Sequence, residues 1–156
     1  MPLLRAALSW NFVLATAICA SLLAQLIKVL LNLFIFHRFI AERMWGAGGM
    51  PSSHSATVCA MVVATGRYCG VNSPLFAIAA VLSIIVMYDA MGVRYETGEQ
   101  AKVLNKMLEQ WIEVTEKNNP FLQNMHLKEM VGHTPLQVMA GFALGVLVGF
   151  LYPMGL

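Results

Sequence analysis

The sequence predicts an all-α protein: an integral membrane helical bundle of about four spanning helices plus one amphipathic surface helix. Three observations carry that reading. The chain is 58% hydrophobic and only 12% charged, against roughly 25% charged residues in soluble domains. Its mean hydropathy is +0.67. Its apolar runs are long and are separated by polar connectors, one of which carries charged residues at helical spacing. The length of 156 residues fits one membrane-embedded domain, 1–156. A net charge of +2, without a basic patch interleaved with aromatics, gives no footprint for nucleic acid. Cys19, Cys59 and Cys69 lie in apolar surroundings without metal-ligand spacing, so they read as packing groups.

The first element is the apolar run of residues 6–36, interrupted by small polar side chains, Gln25, Lys28 and Asn32. It exceeds the ~20 residues needed to cross a bilayer. Arg5 ahead of an apolar stretch also fits a signal peptide, but the run continues past any cleavage point and lacks a polar end region, so it reads as a retained helix. Lys28 inside it is costly in lipid, which makes it a functional candidate or a snorkelling side chain. Residues 37–47 form a polar connector with His37, Arg38, Glu42 and Arg43.

A second helix is expected from about Ser53 to Tyr68, ended by Gly70, and a third from Pro74 to Gly92, with Asp89 near its unfavourable C-terminal pole. From Thr97 to Lys117, apolar Ala101, Val103, Leu104, Met107, Leu108, Trp111, Ile112 and Val114 alternate at helical spacing with Glu99, Lys102, Lys106, Glu109, Glu113 and Glu116. That pattern predicts an amphipathic helix on the membrane surface or over the mouth of the bundle, with Thr97 and Gln100 as a capping box. Asn118-Asn119-Pro120 ends it, and residues 121–132 connect to the last span, Pro135 to Tyr152. Thr134 is its expected cap. Gly141, Gly145 and Gly149 form a small-residue stripe that permits close helix approach and is compatible with a homo-oligomer. Trp10, Trp45 and Trp111 read as interfacial anchors.

Four spans put both termini on one side and both long connectors on the other. The connectors carry Arg38, Arg43, Arg94, Lys102, Lys106, Lys117 and Lys128, while the opposite side has Arg5 and Arg67. The positive-inside rule then places the connectors, and any site they form, in the cytoplasm of a bacterial-type inner or plasma membrane.

The stretch with most chemistry is Gly48-Gly49-Met50-Pro51-Ser52-Ser53-His54-Ser55-Ala56. Its glycines permit close backbone approach, Pro51 suits a first helical turn, and Ser52, Ser53 or Ser55 can cap the helix that follows. Amides at such a helix start favour anions, and His54 titrates near neutral pH. The topology brings this turn to the same face as Lys28 with Arg38, as Asp89–Arg94, and as Lys128-Glu129-Met130-Val131-Gly132-His133-Thr134. Two histidines heading spans, each followed by a hydroxyl residue and surrounded by cations, suit a phosphate monoester at the membrane surface. One imidazole can attack phosphorus while the other protonates the leaving oxygen. A serine nucleophile lacks a strained elbow and an orienting carboxylate. A metal site built from His54, His133 and Asp89 is an open alternative, though no pair has ligand spacing on a helix.

These residues carry a resemblance. The Gly48–Ala56 turn, Asp89–Gln100 with Ala101 and Leu104-Asn105, and Gly132-His133-Thr134-Pro135 followed by Gly141 resemble the small divergent membrane branch of the type-2 phosphatidic acid phosphatase superfamily. Vanadium-dependent haloperoxidases are related to it. The resemblance implies a phosphohistidine mechanism without a metal or other cofactor, in a site that phosphate or vanadate can occupy. His133 would be the nucleophile, His54 the proton donor, and Lys28 a phosphate ligand. Pro51-Ser52-Ser53-His54 matches the parent Pro-Ser-Gly-His motif, with Ser53 at the glycine. Ser52, Ser53, Arg38, Arg94 and Lys128 are the remaining phosphate-binding candidates.

The chain departs from the parent pattern at three places. Arg38 lies ten residues after Lys28 and precedes Phe39, Leu127 stands where an arginine is expected before His133, and Gln137 replaces the orienting aspartate. Arg94 can substitute for the missing arginine, and Asp89 or Glu129 for the missing carboxylate. The implied partners are the bilayer and a phosphorylated lipid. The alternative from another class is a non-catalytic lipid-phosphate or anion binder or carrier that keeps the pocket.

Overall fold

The computed structural model describes residues 11–36, 49–114, 125–129 and 131–154. Among them are five helices: α1 (Phe12–Phe36), α2 (Ser53–Cys69), α3 (Pro74–Met91), α4 (Val93–Val114) and α5 (Pro135–Leu151). Four of them, α1, α2, α3 and α5, begin where a side-chain cap satisfies free amides. Asn11 Oδ1 accepts from the Val13 and Leu14 amides at the start of α1. Ser52 caps α2, Ser73 caps α3 with Pro74 in the first turn, and Thr134 caps α5. The Thr134 cap is a full capping box, because Gln137 returns its side chain to the Thr134 amide.

Two expectations about caps are corrected. Pro51 lies ahead of the α2 cap rather than in the first turn, and its bond to Met50 is cis. The surface helix begins at Val93 rather than Thr97, which leaves Thr97 inside the helix donating its hydroxyl to the Val93 carbonyl. The α3 helix stops at Gly92, whose amide donates to Tyr88 O, and α4 restarts at once.

The bundle is built on α2, which packs against α1, α3 and α5. Its inward face is small: Ser53, Ser55, Ala56, Cys59, Ala60, Ala64 and Thr65 are buried. Ala20 and Ala24 of α1 and Val148 of α5 complete the core around Ala56 and Ala60. Side chains this small let backbones, rather than long side chains, make the contact. The α5 glycine stripe serves the same contact. A Cβ on Gly141 would lie 2.3 Å from Ser52 O, one on Gly145 2.4 Å from Ala56 O, and one on Gly149 2.6 Å from Val63 Cβ. The stripe is therefore occupied by α2 of the same chain, which removes it as a surface for a second copy.

The large apolar residues face outward instead. Leu22, Leu26, Ile78, Ile84, Leu147 and Phe150 are all exposed, the arrangement of a protein whose surrounding solvent is lipid. Helix α1 and the helical run beginning at Pro74 are long and apolar enough to cross a membrane. The 17-residue α5 is apolar, and at 1.5 Å per residue it and α2 each extend about 25 Å. At the end of the bundle away from His133, Arg67 donates to the carbonyls of Gly149 and Tyr152 and lies over the Phe12 ring. It thus satisfies the C-terminal carbonyls of α5, a structural task.

Candidate functional site

The Ser52 cap of α2 and the capping box of α5 bring two histidines to one end of the bundle. The Ser52 amide donates to Gln137 O at 3.0 Å, locking the start of α2 to the first turn of α5. The His133 amide donates to Ala90 O at 3.1 Å, locking the approach to α5 onto the end of α3. The rings of His54 and His133 then stand with centroids 6.3 Å apart, inclined at 62°. His133 is 3% exposed, whereas His54 is exposed.

The hydrogen bonds around Gln137 decide the tautomer of His133. The Thr134 amide can only donate, and it donates to Gln137 Oε1 at 3.2 Å, which fixes the orientation of the amide group. The same oxygen is 3.1 Å from His133 Nδ1. An oxygen acceptor there requires the proton on Nδ1, so a neutral His133 carries its lone pair on Nε2. That Nε2 is buried and, among the described residues, has no hydrogen-bond partner. Burial pushes the His133 pKa below its ordinary 6.5; the Gln137 bond opposes this, while the positive charges of Lys28, His54 and Arg94 reinforce it. Near neutral pH the ring is therefore uncharged.

Lys28 is only 2% exposed. Its methylenes lie against Gly49, where a Cβ would come within 3.3 Å of the lysine stem and where φ is +84°, a conformation that suits glycine. Among the described residues its ammonium forms no ion pair. Its charge nonetheless reaches both histidines. A buried cation beside an unpartnered imidazole nitrogen is an arrangement that an anion completes.

The remaining candidates are placed differently from their sequence reading. Ser52 is fully buried, and its hydroxyl oxygen accepts from the Ser55 amide and the Ser55 hydroxyl, so it builds the α2 cap. Ser53 is buried and accepts from the Gln25 side-chain amide at 3.5 Å. Arg94 forms an ion pair with Asp89, both partly exposed at the α3–α4 break. Its charge still acts on both histidines, but Asp89 is committed to the arginine. Glu129 accepts from Asn105 Nδ2 at 2.8 Å. The group that touches His133 is thus Gln137, rather than Asp89 or Glu129. Lys128 is exposed, and Arg38, Trp10 and Trp45 lie outside the described residues.

Two residues named in the sequence, but given no role in the site there, contribute to it. Asn105 is 5% exposed and binds the connector on both edges, donating to Leu127 O and accepting from the Leu127 amide, each at 2.9 Å. It holds the segment that leads to His133 against α4. Gln25, a polar interruption in an apolar run, reaches Ser53 beside His54. A cavity of about 150 Å³ lies beside Gln137, lined in part by Gly49, Tyr95, Glu99, Lys102 and Glu129; neither histidine nor Lys28 lines it. Among the described residues no three His, Cys, Asp or Glu side chains gather closely enough to hold a metal ion.

Comparison with known proteins bears on the family of the chain. The chain is 35% identical over 144 residues to the Bacillus subtilis membrane protein YuiD, covering 88% of this chain and 91% of that one. No solved structure matches it significantly. The model of the divergent PAP2 family matches residues 9–148, a span that holds both histidines, Lys28 and Gln137. A PAP2-related helical membrane protein, the chain belongs to the divergent PAP2 family.

Proposed function

We propose that the protein is a membrane lipid-phosphate phosphatase that hydrolyses a phosphomonoester or pyrophosphate through a phosphohistidine, without a metal. The observation that carries this reading is the state of His133: Nδ1–H committed to Gln137, Nε2 bare, buried and facing no partner. The Nε2 lone pair forms a bond to phosphorus as the bond from phosphorus to the lipid oxygen breaks. His54, entering the step as its imidazolium with its ring centroid 6.3 Å from that of His133, supplies the proton to that oxygen. Water then attacks phosphorus, the P–N bond breaks, its electron pair returns to Nε2, and the water proton passes to His54. Lys28 and the amides at the start of α2 hold the phosphoryl oxygens, with Arg94 contributing charge from the rim. The excess of basic residues on the connectors supports a site on the cytoplasmic side.

A second reading, a non-catalytic lipid-phosphate or anion binder or carrier, is favoured by one observation. Gln137 orients His133 but, being neutral, stabilises the imidazolium less than a carboxylate would. Phosphate release by the purified protein in detergent separates the two. The assay uses phosphatidate, phosphatidylglycerophosphate and polyprenyl mono- and diphosphates, with His54→Ala and His133→Ala in parallel and with chelator present. Turnover that survives chelator and disappears in both variants supports the phosphatase. Tight binding without turnover supports the carrier, and turnover abolished by chelator contradicts the metal-free mechanism.

A further inference from the structure

The break between α3 and α4 carries a charge pair that neither helix calls for. Asp89 lies in the last turn of α3, and Arg94 is the second residue of α4. Each charge therefore faces the helix pole of its own sign, where it gains nothing from its own helix. The Arg94 and Asp89 side chains are 53% and 40% exposed, and an ion pair that open to water contributes little to stability. The break nevertheless abuts the site. The His133 amide donates to the carbonyl of Ala90, the residue after Asp89. A Cβ on Gly132 would lie 2.6 Å from Arg94 C and 2.3 Å from Tyr95 N, so the chain entering His133 rests on the main chain of Arg94.

The geometry of the pair leaves most of the arginine unused. A guanidinium has five N–H donors, one on Nε and four on the two terminal nitrogens. Asp89 Oδ2 accepts from Nε alone, and among the described residues the terminal nitrogens form no hydrogen bond. The outer edge of the guanidinium, whose two parallel N–H groups match two oxygens of a phosphoryl group, is therefore open. An arginine side chain is about 7 Å long at ordinary bond lengths, and this one springs from main chain that touches the residue before His133. Its positive charge already acts on both imidazoles.

We infer that Asp89 is a positioning residue, which fixes Arg94 by its Nε–H so that the outer edge of the guanidinium clamps the phosphoryl group held between His54 and His133. Without that bond the exposed arginine arm samples many rotamers, and ordering it for the ligand lowers affinity. The carboxylate itself repels an anion. Asp89 therefore acts by orientation rather than by charge, and an uncharged oxygen at the same place serves Arg94 equally well. The inference rests on the phosphate site that the phosphatase and carrier readings share.

The test measures binding of ³²P-labelled inorganic phosphate to the full chain in detergent, comparing Asp89→Asn with Asp89→Ala. Both variants lose the charge, and only Asn keeps an oxygen for the Arg94 Nε–H. Asp89→Asn is expected to bind phosphate roughly 3- to 10-fold more tightly than Asp89→Ala, the effect of one hydrogen bond that orients the arm. In an Arg94→Gln background the two are expected to bind alike, at the weaker level, because the bond has lost its donor. Equal affinities with Arg94 present, or a preference that survives Arg94→Gln, overturn the inference and leave the phosphate site standing. Phosphate bound by none of the proteins overturns the inference too, and release of phosphate from lipid then decides the phosphatase reading separately. Both positions are exposed, so the substitutions leave the bundle core untouched.

Discussion

Replacing Gly145 by alanine tests whether the bundle depends on backbone contact between α2 and α5. The new Cβ would sit 2.4 Å from Ala56 O and 2.9 Å from Cys59 Cβ. Ordinary contact begins near 3.4 Å, so α5 must retreat from α2 by about 1 Å. Neither neighbour can rotate away, because one is main chain and the other is the first atom of a buried side chain. Overpacking of this kind costs about 1–3 kcal/mol. Alanine recovers part of that, since it is favoured over glycine within a helix by up to ~1 kcal/mol. The net loss of about 1–2 kcal/mol corresponds to a fall in Tm of roughly 2–8 °C for a chain of this size. Thermal unfolding in detergent measures it, with exposed Leu136→Ala as the control expected to change little. A Gly145→Ala protein as stable as the wild type would refute close α2–α5 packing. Gly141→Ala adds a functional effect, because its Cβ would press on Ser52 O beside the Ser52–Gln137 bond.

Three further outcomes follow from the site. Gln137→Glu keeps the capping box but sets a carboxylate against His133 Nδ1, which raises the imidazole pKa; the acidic limb of the pH–rate profile should move up, and an unmoved limb would contradict the Gln137 contact. Because burial lowers the folded pKa of His133 below 6.5, the unfolded chain binds more protons between the two values. Its contribution to stability is complete above pH 6.5 and is lost as pH falls through the folded pKa. Thermal scans from pH 7.5 to 5 should show this loss, and His133→Phe should flatten it. Asn105→Ala removes four bonds to the connector and leaves Leu127 and Glu129 unmatched, a cost of about 1–3 kcal/mol. Faster hydrogen exchange at Leu127, with α2 unaffected, is the expected readout, and unchanged exchange would show that Asn105 does not hold the connector.

The fold was legible because its signals are periodic and local. Ser52, Ser73 and Thr134 cap where short polar residues precede apolar runs, and Pro74 and Pro135 stand in first turns. The start of α4 was misread because Gly92 looks like a stop, whereas the next helix resumes at Val93 and absorbs Thr97. The glycine stripe announced a close helix contact, but its partner, α2 of the same chain, depends on three-dimensional packing. In the site, the pairing of two span-heading histidines was readable from topology. The commitments of Ser52 to a cap, Asp89 to Arg94 and Glu129 to Asn105 were not, because a polar side chain chooses among neighbours that only the fold supplies. Gln25 was visible only as a polar interruption, since nothing in the chain order shows that Ser53 lies beside it.

The most direct test of the central claim is to trap the intermediate. Purified protein is mixed with ³²P-labelled lipid phosphate, quenched in alkali after a few turnovers, and digested for mass analysis. A phosphoryl group on the peptide containing His133, stable to alkali, lost in acid and absent from His133→Ala, is the predicted result. Phosphate released at the full rate with label on no histidine, or with label on His54, would contradict the assignment of His133 as the nucleophile.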